Sequence, residues 1–407
     1  RLVDKHPRFM NGKLLDMQHR QNILVATSFG GEVAMPIFES VISAGLIIRG
    51  ASVQVLLCDG IPACQLCDTT KFKNTADFVE KGFSKRTCQE CFATGKKIYD
   101  AIGVTVLKFS DYISREDLSS IAEISPPHPS QNLKEYDFNG INVGEHAYAG
   151  TCRFFAKANF DDEPYRLGAY LKYLKSSVLV AIATERIITA NNISKIVMNH
   201  GIYVPQGVIN SVAHLKKINV ITWNTSYRKK TFIFSHHDTY HHTLMHEPVD
   251  SWDGMVLEEN RREIIVNYLK SRAAGINDWI KFNDNDSFES NVHNKYNIDQ
   301  SKPVIGLLTN VAWDAQLHYP ANLFSNMNEW ILHTIDYFKR REDLQLLIRV
   351  HPAELTGHLK SRQFVRDEIY KKYKNLPSNV FLIDSNDKFS TYRAMEICNA
   401  VIIYGTK

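Results

Sequence analysis

One local pattern recurs along this chain of 407 residues: a short continuous apolar run, a polar loop, then apolar positions at helical spacing. That rhythm constrains the fold more than any other feature. A strand that is apolar on both faces must be covered on both. Helices between such strands do this, so the pattern points to a doubly wound parallel sheet of the α/β class. Ile23-Leu24-Val25-Ala26-Thr27 is the first such strand, Ser28-Phe29-Gly30-Gly31-Glu32 its turn and 33–49 its helix. Further strands are expected at 53–58, 104–109, 195–198 and 219–223, with helices over 92–101, 111–121, 163–190 and 204–216. The stretch 232–254, with five histidines, reads as a surface loop or an aromatic-rich acceptor wall, and 257–273 as a polar amphipathic helix.

Asn283-Asp284-Asn285-Asp286 opens a polar stretch to about 302, the best linker in the chain, and the rhythm then restarts. Strands are expected at 303–308, 345–350, 379–383 and 400–404, with helices over 323–341 and 391–398. The simplest architecture is two doubly wound Rossmann-like domains facing a cleft, 1–295 and 303–407, with a Cys-rich insertion at 58–91 in the first. The opening at Arg1 and the close on an apolar strand and loop, Val401 to Lys407, suggest a fragment whose last domain is truncated.

Two cysteine pairs carry the sharpest local signal: Cys64-x-x-Cys67 and Cys88-x-x-Cys91, twenty residues apart. Two C-x-x-C knuckles can supply four thiolates to a tetrahedral structural zinc, and an iron–sulfur cluster is the alternative. Unmetallated thiols or two disulfides are the plain reading. The other three cysteines (Cys58, Cys152, Cys398) sit in apolar surroundings, which fits a reducing cytoplasm. A formal charge of +4 is too small to argue for a nucleic-acid partner, and no run reaches the about 18 apolar residues of a membrane span. No signal peptide opens the chain, and peripheral contact with the inner face of a membrane remains open.

In open α/β sheets, ligands bind at the carboxyl ends of strands. The loops at such ends are Gly30-Gly31-Glu32, Cys58-Asp59-Gly60 and Asn199-His200-Gly201 in the first half, and Thr309-Asn310, Arg349-Val350-His351-Pro352 and Tyr404-Gly405-Thr406-Lys407 in the second. Gly and hydroxyl residues before a helix suit a phosphate, because free N–H groups and the helix dipole both favour an anion. Asp314, after Trp313, is a lesser candidate on the same side.

The strand ending Arg349-x-His351-Pro352-x-Glu354, with the later strand ending Tyr404-Gly405-Thr406, resembles the C-terminal half of GT-B glycosyltransferases of the bacterial capsule polysaccharide class, which includes Kdo transferases. GT-B sialyltransferases and teichoic-acid glycerophosphotransferases share a similar pattern. The resemblance covers mainly 303–407. It implies a nucleotide-sugar donor, CMP-linked in those families, with its phosphate held by His351 and Thr406 and with Gly405 leaving room. The 29–50 stretch also looks like a glycosyltransferase's first βα unit. In the sialyltransferases an acidic-Gly motif carries the catalytic acid; Cys58-Asp59-Gly60 resembles it, with cysteine in place of an acidic residue. The expected function is sugar transfer to a saccharide or glycolipid acceptor of a surface polysaccharide, with Glu32, Asp59 and His200 as candidate bases. The alternatives are a polyol-phosphate transferase of the same fold, a nucleotide-sugar epimerase, or a zinc-stabilised scaffold.

Overall fold

The computed structural model describes residues 21–126, 128, 132–246, 248, 250, 253–273, 276–279, 295–318 and 322–405. The chain divides into two compact units. Unit 1 takes the chain up to Phe154, then 160–224 and 233–243; unit 2 takes 155–159, 225–232 and 244–407. The second unit therefore begins before the linker expected at 283–302, most of which lies outside the described residues.

Unit 1 is built on a six-stranded sheet of order β3-β2-β1-β6-β7-β8. The strands are β1 (Asn22–Ser28), β2 (Ser52–Leu57), β3 (Thr105–Lys108), β6 (Lys195–Asn199), β7 (Asn219–Thr225) and β8 (Phe232–His236); a separate two-stranded ladder pairs β4 (Asp137–Phe138) with β5 (Ile141–Asn142). Pairing from β3 through β7 is parallel, with Ile23 facing Val53 on one side and Lys195 on the other. The helices are α1 (Ala34–Ile48), α2 (Thr75–Lys81), α3 (Lys85–Asp100), α4 (Arg115–Glu123), α5 (Val143–Phe155), α6 (Arg166–Ala190), α7 (Val208–Leu215) and α8 (Tyr240–His246), the last running across the unit boundary. Ile23, Val25, Val53, Val55 and Leu57 pack with Tyr99, Trp223 and the α1 residues Phe38, Ile42 and Leu46. Each fully buried aliphatic side chain there contributes about 1.5–3 kcal/mol.

Unit 2 carries a four-stranded parallel sheet of order β11-β10-β9-β12, from β9 (Val304–Leu308), β10 (Gln345–Arg349), β11 (Val380–Ile383) and β12 (Ala400–Ile403). Its helices are α9 (Glu259–Ala273), α10 (Met327–Phe338), α11 (Ala353–Thr356), α12 (Val365–Lys372) and α13 (Thr391–Glu396). Asn326 starts α10 by accepting the Glu329 N–H on its side chain. Leu307, Leu346, Ile348 and Val380 form a core with Trp330, Ile331 and Ile335 of α10.

Three expectations are corrected. The stretch around the five histidines is not a loop: it contains β8 and α8. The helix expected over 92–101 begins at Lys85, because Ser84 caps it by accepting the Thr87 N–H and Arg86 pairs with Glu90 one turn on. Cys88 and Cys91 therefore lie on a helix face and not in a loop knuckle. Helices α5 and α12 were not foreseen. Among the described residues no helix is long and apolar enough to cross a membrane.

Candidate functional site

In unit 2 the strand order reverses between β9 and β12, so the crevice outside their carboxyl ends is the expected ligand position. Three loops meet there. The His351 N–H donates to Thr309 Oγ1 at 2.9 Å, joining the β10 loop to the β9 loop. Asn310 Nδ2 donates to Tyr404 O at 3.1 Å and to Gly405 O at 2.8 Å, joining the β12 loop to the same place. Gly405 has a φ of 44°, a left-handed conformation that a side chain would strain. Thr406 lies outside the described residues.

His351 is held in one tautomer. Its Nδ1 accepts the Ala353 N–H at 3.1 Å, so the proton of the neutral ring is on Nε2. Burial first, then the Arg349 charge, pull its pKa down to about 4, against the opposing pull of Asp314. The ring is thus a neutral N–H donor, suited to an anionic oxygen. Pro352 stands at the start of the short helix α11 and orients this loop.

Arg349 and Glu354 do other work than expected. Arg349 is 1% exposed, and its guanidinium donates to Val350 O (3.0 Å), Asp384 O (2.6 Å), Asp387 O (3.2 Å) and Thr391 Oγ1 (3.3 Å). It is a clamp between the β10 and β11 loops, with its donors turned inward, and not a phosphate ligand. Glu354 is buried, and its Oε1 accepts the Val365 N–H at 2.8 Å, which starts α12. Burial pushes its pKa up to about 7.

Unit 1 reverses its strand order between β1 and β6. Four residues around this point have positive φ: Ser28 (74°), His200 (30°), Gly201 (71°) and Tyr203 (63°). Such backbone clusters where surrounding structure holds a site in shape. Beneath it the buried Glu39 carboxyl accepts from Thr27 Oγ1, from Trp223 Nε1 (2.9 Å) and from Tyr99 Oη (3.1 Å). Thr27 Oγ1 accepts in turn from the Asn199 N–H (2.9 Å). Burial outweighs these donors and pushes the Glu39 pKa up to about 7. Two buried acceptors at the same place, Asn199 Oδ1 and Gln206 Oε1, have no hydrogen-bond partner among the described residues.

The sequence-expected residues of unit 1 divide. His200 sits at this point, with Nδ1 accepting the Ile202 N–H at 3.1 Å. As in His351, the proton of the neutral ring is on Nε2, which makes it a donor and corrects its assignment as a base. Gly30 and Gly31 serve packing, not an anion. A Cβ on Gly30 would stand 2.3 Å from Cys91 O and 2.4 Å from Gly95 N, so α3 rests directly on this turn. The Gly31 N–H donates to Cys91 Sγ at 3.1 Å. Asp59 Oδ1 accepts the Ser110 N–H at 3.3 Å, tying the β2 and β3 loops together, and Glu32 stands half-buried in the turn before α1, where its charge adds to burial and Cys64 in pushing the Cys91 thiol pKa up.

The thiols are gathered but not arranged as expected. Cys64 and Cys67 share a tight turn, with the Cys67 N–H on Cys64 O at 2.9 Å. Gly31 lies between the pairs: a Cβ there would be 3.3 Å from Cys91 Sγ and 3.5 Å from Leu66 Cδ1. Cys58, which the sequence set apart, joins the group: burial and then Cys64 push its thiol pKa well up. Among the described residues no three His, Cys, Asp or Glu side chains form a group that could hold a metal ion.

The sequence reading missed a cluster beside His200. His242 Nδ1 and Asp238 Oδ2 are 2.8 Å apart. From α7, Asn210 Nδ2 donates to Asp238 Oδ1 (3.2 Å) and His214 Nε2 donates to His237 O (2.7 Å). Thr239 Oγ1 donates to His200 O at 2.5 Å, joining this turn to the β6 loop. The available signal was an Asp four residues before a His.

No family model matches the chain, and no curated protein matches it. Among solved structures, a UDP-GlcNAc 2-epimerase from Neisseria meningitidis is 8% identical over 94% of this chain and 77% of its own, with a TM-score of 0.23. The epimerase of Methanocaldococcus jannaschii is 11% identical, covering 94% and 78%, with a TM-score of 0.23. A tyrosyl-tRNA synthetase from Archaeoglobus fulgidus is 14% identical, covering 49% and 52%, with a TM-score of 0.26. Similarity this loose decides nothing about function.

Proposed function

We propose that this chain is a nucleotide-sugar-dependent glycosyltransferase of the GT-B type, acting on a capsule-type surface polysaccharide or its precursor. In this reading unit 2 takes the donor and unit 1 the saccharide or glycolipid acceptor. The observation that carries it is the meeting of the Thr309-Asn310, His351-Pro352 and Tyr404-Gly405 loops at one switch point, with a neutral imidazole whose Nε2 bears the proton. A fixed donor aimed at a leaving phosphate stabilises the charge that develops there, and this effect usually lowers the barrier more than any other in such catalysis.

The test is a thermal-shift panel of CMP, CDP, UDP and GDP. A ligand that binds only the folded state raises Tm by mass action. One nucleotide should raise Tm in the wild type and lose most of that effect in His351→Ala. No shift with any of the four, or an equal shift in the variant, removes the proposal.

A further inference from the structure

The geometry points to His242, oriented by Asp238, as the group of unit 1 that takes the proton from an acceptor hydroxyl. This rests on the transferase reading above. The two histidines already described have Nδ1 as acceptor. His242 is wired the opposite way: its Nδ1–H donates to Asp238 Oδ2 at 2.8 Å, so the lone pair of the neutral ring is on Nε2. Among the described residues, Nε2 has no hydrogen-bond partner. The two side chains are 34% and 27% exposed, buried enough to be held and open enough to be reached.

Asp238 is itself fixed. Asn210 Nδ2 and the Thr239 N–H (2.6 Å) both donate to its Oδ1, and His214 Nε2 lies 3.7 Å from the same oxygen. This is a base oriented by a carboxylate that further groups orient in turn. Its position follows from Thr239, whose hydroxyl holds His200 O, and from Gly201, where a Cβ would be 3.6 Å from Thr239 Cβ and 3.8 Å from Asn210 Cγ. The cluster thus lies against the loop that leaves β6 at the switch point.

The charges facing the ring are Asp238 and, from α5, Glu145; His146 and His214 stand nearby. Asp238 first and then Glu145 raise the ring's pKa above its ordinary value, against burial. A raised pKa makes Nε2 a stronger proton acceptor. In the step itself, Nε2 takes the hydroxyl proton as the oxygen bonds to the anomeric carbon. The bond from that carbon to the nucleotide oxygen breaks, the electron pair leaves on the nucleotide, and the imidazolium returns its proton to water. The earlier candidates fit this role less well: His200 carries its proton on the wrong nitrogen, and Asp59 is engaged by the Ser110 N–H.

Two measurements test it. In ¹⁵N-histidine NMR of the whole chain in alkaline buffer, His242 should show the Nδ1–H tautomer and His200 and His351 the Nε2–H tautomer. An Nε2–H tautomer at His242 overturns the inference whatever the activity. In nucleotide release from CMP-, CDP-, UDP- and GDP-linked sugars with a capsular oligosaccharide as acceptor, His242→Gln should lose about 10²–10⁴-fold in kcat. Its nucleotide-induced Tm shift should stay at the wild-type value. In Asp238→Asn the rising limb of kcat/KM against pH should move to lower pH, a change that a merely structural role would not produce. Wild-type turnover in His242→Gln, with nucleotide binding intact, overturns the inference and leaves the transferase reading standing. If no nucleotide binds and none is released, both fall.

Discussion

Two histidines with Nδ1 as acceptor and one with Nδ1 as donor show how much of this chain's chemistry is decided by single hydrogen bonds. The bond length hardly differs (3.1, 3.1 and 2.8 Å), but the partner does: a backbone N–H for His351 and His200, a carboxylate for His242. Residue type and spacing do not encode that choice. This is why His351 and His200 were legible as strand-end residues while their tautomers were not, and why His242 was missed inside a histidine-rich run. Arg349 teaches the same lesson from the other side. It stands just before a ligand-facing loop, yet its guanidinium is buried on the carbonyls of Val350, Asp384 and Asp387, a choice its position in the sequence does not encode. Arg349→Lys would keep the charge but lose the fork that reaches Val350, Asp384 and Asp387 together. We expect a loss of about 2–4 kcal/mol in urea unfolding, from buried carbonyls left without donors. Nucleotide affinity of the folded protein should stay within about twofold, since 1.4 kcal/mol is the scale of a tenfold change. A large loss of affinity with intact stability would make it a ligand after all.

At the scale of elements, the turn after β1 shows what seats the second cysteine pair. Lys85–Asp100, which carries Cys88 and Cys91, is one helix, and its Gly95 meets Gly30 so closely that a Cβ on Gly95 would be 2.8 Å from Gly30 Cα. Two facing glycines let helix and turn touch backbone to backbone. Gly30→Ala should therefore destabilise unit 1 by about 1–3 kcal/mol in a chemical melt, the usual cost of overpacking. Gly50→Ala, which meets nothing within 4 Å but has a φ of 93°, would suffer only backbone strain. If Gly30→Ala melts like the wild type, the turn is not the seat of α3. The parallel strands of both sheets were legible because each is built on a short apolar run. Helix α5 was not, because it is buried nearly all round and shows no polar stripe. Helix α12 was not, because only Val365 and Ile369 of its eight residues are buried. The β8–α8 segment was hidden because its apolar run, Phe232-Ile233-Phe234, passes at once into the polar, histidine-rich residues that give it chemistry.

Across the whole molecule, each unit holds a carboxyl and an imidazole whose titrations burial displaces in opposite directions: Glu39 and His146 in unit 1, Glu354 and His351 in unit 2. Burial pushes both carboxyls up to about 7 and pulls both imidazoles down to about 4. The signs oppose. A carboxyl with a raised pKa binds more protons in the folded state, so its stabilisation is full below the ordinary value of about 4.5 and is lost as pH rises to about 7. An imidazole with a lowered pKa binds fewer, so its stabilisation is full above the ordinary 6.5 and is lost as pH falls to about 4. Between about pH 4.5 and 6.5 the two slopes in each unit cancel, and the wild type should show little pH dependence from these four groups. Removing one partner should uncover the other. Glu39→Gln keeps one oxygen to accept from Thr27 and Trp223 and turns its amide N–H2 toward Tyr99 Oη, but cannot titrate, so its stability relative to the wild type should rise with pH across this window. Glu354→Gln should do the same for unit 2. His351→Asn should have the opposite slope, and each difference should change by less than about 3 kcal/mol between about pH 4.5 and 6.5, since one full proton over a tenfold change in acidity is worth about 1.4 kcal/mol. Urea melts at several pH values read this directly, because groups common to variant and wild type cancel in the difference. A flat difference for Glu39→Gln would mean that its three donors hold the carboxylate ionised throughout. The interior beneath the unit 1 switch point would then carry a fixed negative charge in place of a neutral acid.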